Sequence, residues 1–98
     1  TDAQLETFRE RAVPQPASIV TEAVQLTNDA RHQIPVTAIC TAFPASAYQD
    51  YAAQGVPYLA ALLDYSDVTY LDLPTGHWPM WSKPAELADA IAKASRND

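Results

Sequence analysis

The sequence is poor in the residues that build covalently linked or metal-based scaffolds. Its 98 residues include a single cysteine, Cys40, which excludes an internal disulfide and any multi-cysteine metal site. Only two glycines are present, and they form no glycine-rich phosphate loop. Because Cys40 lies in an apolar run, we expect a buried, inert thiol rather than a reactive one.

Positive charge and long apolar runs are also scarce. The 6 basic residues against 12 acidic ones give a net charge of -6, which argues against nucleic acid and anionic membrane surfaces as partners. No apolar run approaches the ~20 residues that span a bilayer, and no secretory h-region is visible. We therefore expect a cytoplasmic protein that neither binds nucleic acid nor enters a membrane.

What the sequence does contain is an alternation of helix and strand patterns. It predicts a helix over residues 1–12, capped by Thr1 or Asp2, with the apolar stripe of Leu5, Phe8 and Ala12, and a weak pattern over 17–33. The elements predicted after these are a strand at 34–41, helices at 44–54 and 57–63, a strand at 68–73 and a helix at 83–94.

Three details of these helices follow from local patterns. Ser46 and Ser82 are the expected N-caps of the helices at 44–54 and 83–94, because serine hydroxyls accept from the first free backbone N–H groups. In the last helix we expect a core face, with polar residues turned to water. That face consists of Leu87, Ala88, Ile91, Ala92 and Ala94.

Strand, helical crossover, strand and helix form a βαβα unit of the α/β class. Its two strands should be parallel and joined by a right-handed connection. The strand at 34–41 is apolar on both faces, so it needs neighbours on both sides, and two strands alone rarely persist in water. We expect this unit to form one edge of a larger, doubly wound, mostly parallel sheet. The other strands would come from a preceding segment, a lost segment or another chain, and a start at Thr1 rather than Met suggests a fragment or processed product.

The densest cluster of unusual residues lies between the second strand and the last helix. The stretch from 75 to 84 holds His77, Trp78, Trp81, the only methionine and one of the two glycines. A titratable imidazole in the turn after a strand is typical of the place where α/β proteins carry their chemistry. The cluster therefore contains the first candidates for functional residues.

Residues 74–88, with the sequence PTGHWPMWSKPAELA, resemble the C-terminal end of an α/β-hydrolase. In that superfamily the catalytic histidine follows the last strand in a Gly-His or Asp-His dipeptide, and an apolar pair and a Ser-x-Pro-x-Glu-Leu helix start come next. The Ile34-Pro35-Val36 opening of the earlier strand fits as well. The likeness is nearest to the esterase and hydroxynitrile-lyase-like branch. It implies that residues 1–33 are the end of the cap region and its return to the sheet, and that 34–98 are the C-terminal βαβα part of the core.

Two departures from the family's pattern bear on its triad. The Gly-x-Ser-x-Gly elbow that carries the nucleophile is absent from the sequence. The acid normally follows the strand that matches 34–41, but residues 41–46 contain no carboxylate. The acid would then come from an earlier strand in another segment, or the triad is degraded. Asp50, a few residues further on, is a weaker candidate.

The resemblance implies a role for His77 as the catalytic general base, acting with a serine and an acid supplied elsewhere. Trp78 is the candidate substrate-binding residue, although apolar residues beside a strand end also pack locally. His32 lies in a polar stretch and is expected to be solvated, and two histidines so far apart, without glutamate at ligand spacing, do not predict a metal site. Asp72 is expected to be a cap or turn residue.

The leading hypothesis is therefore an esterase-like serine hydrolase of which this chain forms the C-terminal part. Its expected partners are a small-molecule substrate and the rest of the hydrolase fold, in the same or a complementary chain, and no cofactor is expected. This chain alone should be inactive, because it lacks a nucleophile. The alternatives are a non-catalytic, ligand-binding relative of the fold and an inactive fragment.

Overall fold

A computed structural model of the protein describes residues 1–96. Within them the chain forms six α-helices, two short 3-10 helices and two strands, so its character is mixed α/β as predicted. The order is α1 (Asp2–Arg11), α2 (Ser18–Thr21), a 3-10 helix (Asp29–Gln33), β1 (Val36–Cys40), α3 (Ala45–Ala53), α4 (Pro57–Ala60), a 3-10 helix (Ala61–Asp64), β2 (Val68–Asp72), α5 (Pro79–Ser82) and α6 (Pro84–Ser95). Residues 97–98, the end of the expected C-terminal part, lie outside the described residues.

The two strands pair in parallel, as the βαβα pattern predicts. The register runs from Val36 beside Val68 to Cys40 beside Asp72. The pairing continues past the strands, because the Leu73 N–H donates to the Cys40 carbonyl at 2.8 Å. The expectation of a larger sheet stays a prediction, since the described residues contain only these two strands.

Helix α1 begins with the capping box that the sequence predicts. The Gln4 backbone N–H donates to the Thr1 hydroxyl at 3.2 Å, and the Thr1 backbone nitrogen donates to the Gln4 side-chain oxygen at 3.0 Å. These reciprocal bonds satisfy donors that a helix start otherwise leaves free. The helix ends at Arg11, and Ala12 is already extended with ψ 131°. Pro14 lies just beyond and disfavours helix in the residue before it.

Helix α3 is capped by a residue from a distant strand rather than by Ser46. The Ala45 N–H donates to the Asp72 carboxylate at 2.7 Å, and Ser46 makes no cap hydrogen bond. The prediction for Ser46 was wrong, because the N-cap position is the extended Pro44, two residues earlier, and Ser46 already lies within α3. Of the two roles expected for Asp72, a cap or a turn residue, the structure shows the cap. A carboxylate at this place also offsets the positive end of the helix dipole.

The other end of α3 needs a glycine. Gly55 has φ 83°, and the N–H groups of Gly55 and Val56 donate to the carbonyls of Ala52 and Tyr51. This pair of bonds is a Schellman motif, in which a residue of left-handed conformation closes the helix. It turns the chain into α4, which starts with Pro57 in its first turn. The predicted helix over 57–63 is thus an α-helical turn followed by a 3-10 turn.

The prediction of Ser82 as the N-cap of the last helix was wrong. Ser82 ends the separate short helix α5, and Lys83 occupies the N-cap of α6 without a side-chain cap bond. The predicted core face of α6 is only partly covered: Leu87 and Ala92 are half-buried, whereas Ala88 is exposed and Ile91 is 55% exposed. Helix α6 therefore presents an apolar face that residues 1–96 do not bury.

The described residues have a small core. Only Cys40, Ala52, Leu59 and Leu73 are fully buried, and all four lie within residues 36–75. Apart from Cys40 the side chains of β1 are half-buried, so the expected burial on both faces is not reached within residues 1–96. Every residue from 8 to 30 is exposed. Within residues 1–96, no helix has the length and apolar character needed to cross a membrane.

Candidate functional site

His77 lies in a short loop that follows the carboxyl end of β2. The loop leaves the sheet in a fixed direction, because the Thr75 N–H donates to the Thr41 carbonyl at 3.1 Å beyond the end of β1. The hydroxyls of Thr75 and Ser82 then hydrogen bond to each other across the loop. The loop that carries His77 is thus fixed at Thr75 and at Ser82. It lies at the carboxyl edge of the sheet, as the sequence predicts.

The imidazole of His77 is exposed and packs against one aromatic ring. It packs edge-on against the Trp78 indole, with ring centroids 4.8 Å apart and an interplanar angle of 86°. Within residues 1–96 the only ion pair joins Arg31 to Asp29, so no carboxylate of residues 1–96 orients the His77 imidazole. A histidine in this setting can exchange protons with a reactant, but it lacks the orienting acid of a triad within residues 1–96.

An apolar cavity of about 300 Å³ lies beside this loop, between α1 and α5. Trp78 lines it, so the candidate substrate-binding residue both contacts the His77 ring and faces the cavity. A hydrogen bond of 3.2 Å from the Gln4 side-chain amide to the Trp81 carbonyl links the two walls. The lining consists of Thr1, Gln4, Leu5, Phe8, Trp78 and Trp81.

A second cavity of about 230 Å³ lies at the carboxyl ends of both strands. Its lining includes Cys40, Phe43 and Asp72. Burial, and after it the negative charge of Asp72, raise the pKa of the Cys40 thiol above its ordinary value. The expectation of a buried Cys40 is confirmed, since the residue is 2% exposed. Asp72 is committed to the start of α3, as its bond to the Ala45 N–H shows.

The other candidate residues lie away from His77. Asp50 is on α3, where it was expected, and is exposed. The prediction of a solvated His32 was wrong: the residue is half-buried, and its ring packs edge-on against Tyr65 at 5.2 Å. Its carbonyl accepts from the backbone N–H and the hydroxyl of Ser66, which fixes the turn before β1 to the turn before β2. Within residues 1–96, no group of three potential ligand side chains is placed to hold a metal ion.

The residues that sequence reasoning did not assign to the site come from α1. Leu5 and Phe8 had been seen only as the apolar stripe of an N-terminal helix, yet both line the cavity beside Trp78 and Trp81. A signal was available, because an apolar stripe on an isolated helix requires a partner surface. Nothing in the local pattern indicated that this partner follows residue 77.

A scan against protein-family models, a search of curated proteins and a search of solved structures each find no match to this chain.

Proposed function

We propose that this chain is the C-terminal part of an esterase-like serine hydrolase of the α/β-hydrolase fold, with His77 as its general base. One observation supports the proposal above the others. An exposed imidazole follows the second of two parallel strands in a loop tied at both ends, beside an apolar cavity. In parallel α/β sheets, ligands bind outside the carboxyl ends of the strands.

In the proposed reaction His77 moves one proton between the nucleophile and the leaving group. Its Nε2 takes the proton from a serine Oγ as that oxygen attacks the ester carbonyl, and returns it to the departing alcohol. A water molecule then releases the acid from the acyl-serine by the same proton route. A carboxylate at Nδ1 would set the tautomer. The serine and the acid belong to another segment or chain, because the sequence has no nucleophile elbow and no carboxylate of residues 1–96 pairs with His77.

The partner that this proposal requires is the rest of the sheet. Apart from Cys40, the side chains of β1 are only half-buried, and Ile91 on α6 is more than half exposed. Parallel strands are generally covered on both faces by helices and flanked by other strands. Docking against such elements would bury these side chains and bring a serine to His77. The proposed chemistry uses a small-molecule ester and no cofactor.

The test is a comparison of the two histidines in the natural protein that contains this chain. His77→Ala should lower the turnover of a p-nitrophenyl ester by about 10³-fold or more, in the range known for loss of a triad member. His32→Ala is the matched control, since His32 precedes β1 at the amino end of the parallel strands, whereas His77 follows β2 at their carboxyl end. We expect it to retain turnover within about tenfold, because it removes no proton-transfer group. Turnover of His77→Ala within tenfold of wild type would contradict the assignment.

A second candidate function is ligand binding without catalysis on the same fold. It is favoured by the absence of a carboxylate that pairs with His77 within residues 1–96, together with the presence of a lined apolar cavity. This reading predicts that the natural protein binds small apolar molecules but hydrolyses no ester and is inert to serine-directed reagents. Ester turnover that is lost in His77→Ala would exclude it.

A further inference from the structure

We propose that the cavity between α1 and α5 binds an uncharged aromatic group of up to two fused rings. The proposal deepens the function given above and rests on it in one respect: the bound group would be the aromatic part of the ester. The binding itself does not depend on turnover. Leu5 and Phe8 of α1 and the two indoles of the 78–81 turn supply the contacts.

The chemistry of the lining determines the charge of the ligand. None of the six lining residues has an ionisable side chain, and four of them are large apolar residues. A charged group placed there would lose its hydration and find no charged side chain to pair with, which is costly. The two polar residues, Thr1 and Gln4, already bond to each other in the capping box, and the Gln4 amide also bonds to the Trp81 carbonyl. The cavity therefore selects for an uncharged group.

The size of the cavity determines the extent of the ligand. Its volume is about 300 Å³. An apolar protein cavity of roughly 150 Å³ binds benzene, so about twice that volume suits a fused pair of rings. It also lies at the lower end of the range for small-molecule sites, roughly 300 to 1,000 Å³.

The walls favour aromatic rings over aliphatic chains. Trp78, Trp81 and Phe8 provide three ring systems around one volume. Aromatic groups gain from offset or edge-on contacts in addition to the area they bury. Trp78 has a second role, because its indole also contacts the His77 imidazole at 4.8 Å between centroids. A ring held in the cavity thus lies one side chain away from the proposed general base.

Tryptophan fluorescence measures whether the cavity is occupied. Trp78 and Trp81 are the only tryptophans in residues 1–98, and both line the cavity, so the emission of these two residues is specific to this place. The probe is prodan, an uncharged naphthalene ketone whose emission responds to an apolar setting and which accepts energy from tryptophan. We expect saturable quenching of tryptophan emission with one prodan bound per chain. We also expect 2-naphthalenesulfonate to compete at least about tenfold less well than 2-methylnaphthalene, because its anion must be desolvated.

The two phenylalanines of the chain form a matched pair for this test. Phe8 lines the cavity and is 56% exposed, whereas Phe43 is 52% exposed and lines the second cavity. Phe8→Ala should weaken prodan binding by about tenfold, the order that a lost pocket contact costs. Phe43→Ala should leave it within about twofold, because no contact to the bound ring is removed. Leu5→Asp provides a second variant, and circular dichroism verifies that each variant keeps its helices.

Several results would overturn the proposal. They are non-saturable quenching, equal losses in Phe8→Ala and Phe43→Ala, or unchanged binding in both Phe8→Ala and Leu5→Asp. His77→Ala separates this proposal from the catalytic one, because it should abolish ester turnover while prodan still binds saturably, since His77 does not itself line the cavity. Failure of prodan binding in a protein whose turnover depends on His77 would contradict the ligand site alone. Binding without any turnover would contradict the catalytic proposal alone.

Discussion

Residues 12–28 and residues 36–75 contain similar kinds of apolar side chain but differ in how far these side chains are buried. We call the first segment the arm and the second the strand region. In the arm Val13, Val20 and Val24 are 81 to 84% exposed, and the hydrogen bonds join close neighbours, such as the Glu22 N–H to the Ser18 carbonyl. The strand region holds all four fully buried residues. Its bonds cross long sequence distances, as the bond between Ala45 and Asp72 does over 27 residues.

The contrast shows where the stability of the chain is concentrated. Burial of apolar area is the main favourable term in folding, and an exposed valine contributes almost none of it. The arm therefore links α1 to β1 without adding to the core. Helix α1 is tied to α5 by the hydrogen bond from the Gln4 side chain to the Trp81 carbonyl, and Leu5 and Phe8 face the same cavity as Trp81. Substitutions in the two segments should therefore differ in how much they change the free energy of unfolding.

The largest expected difference is between two leucines. Leu73 is 7% exposed at the end of the strand region, and Leu26 is 64% exposed in the arm. Leu73→Ala should lower the free energy of unfolding by about 2 to 5 kcal/mol, the usual cost of a cavity in a core. Leu26→Ala should change it by less than about 0.5 kcal/mol, as surface substitutions do. Urea unfolding followed by circular dichroism measures both values, and equal effects would remove the distinction between arm and strand region.

A smaller difference is expected between the two glycines. Gly55 lies within the strand region at φ 83°, and Gly76 lies just outside it without a positive φ; a Cβ at either place would meet no atom within 4 Å. Gly55→Ala should cost about 1 to 2 kcal/mol, because an L-residue is disfavoured in the left-handed conformation. Gly76→Ala should be neutral or stabilise by up to about 1 kcal/mol, because it reduces the freedom of the unfolded chain. The same urea titration checks the pair. A neutral Gly55→Ala would contradict the Schellman closure of α3.

The smallest expected effect concerns pH and the only thiol of the chain. Burial and the charge of Asp72 raise the pKa of Cys40 in the folded state. The unfolded chain then loses this proton at lower pH than the folded chain does. The stability that comes from this difference is fully present below the pKa of the unfolded thiol and is lost as the pH rises through the folded pKa.

The pH effect is measured as the slope of the unfolding free energy above that range. The slope should be less negative in Cys40→Ala than in wild type, whatever the cost of the substitution itself. Asp72→Asn should also make this slope less negative, because it removes the neighbouring charge that raises the pKa of Cys40. The arm has no thiol, so the control Leu26→Ala should keep the wild-type slope. Identical slopes in wild type and Cys40→Ala would show that the thiol does not couple to folding.

Local patterns in the sequence predicted the elements that depend on near neighbours. The capping box of Thr1 and Gln4 follows from spacing within a few residues, and so do the two strands, predicted at 34–41 and 68–73 and found at 36–40 and 68–72. Their parallel pairing follows from the order of strand, helical crossover and strand. The position of His77 after β2 follows from the same reasoning. These features are set by short-range sterics and by the handedness of the strand crossover, which act on any chain of this pattern.

The features that could not be predicted arise from long-range contacts. Ser46 has the chemistry of an N-cap, but Asp72 takes that place because the end of β2 lies beside the start of α3. Ser82 likewise pairs with Thr75 and does not cap α6. His32 is shielded by Tyr65, more than 30 residues away. The cavity is a further case, since α1 and the 78–81 turn meet only after folding.

The central claim is that His77 serves a nucleophilic serine contributed by another segment or chain, and serine-directed labelling tests it most directly. The natural protein that contains this chain is treated with a fluorophosphonate, digested and analysed by mass spectrometry. Our account predicts one labelled serine per His77, outside residues 1–98 and within a Gly-x-Ser-x-Gly elbow, with labelling lost in His77→Ala and kept in His32→Ala. No labelling of the wild-type protein, or equal labelling of wild type and His77→Ala, would contradict it.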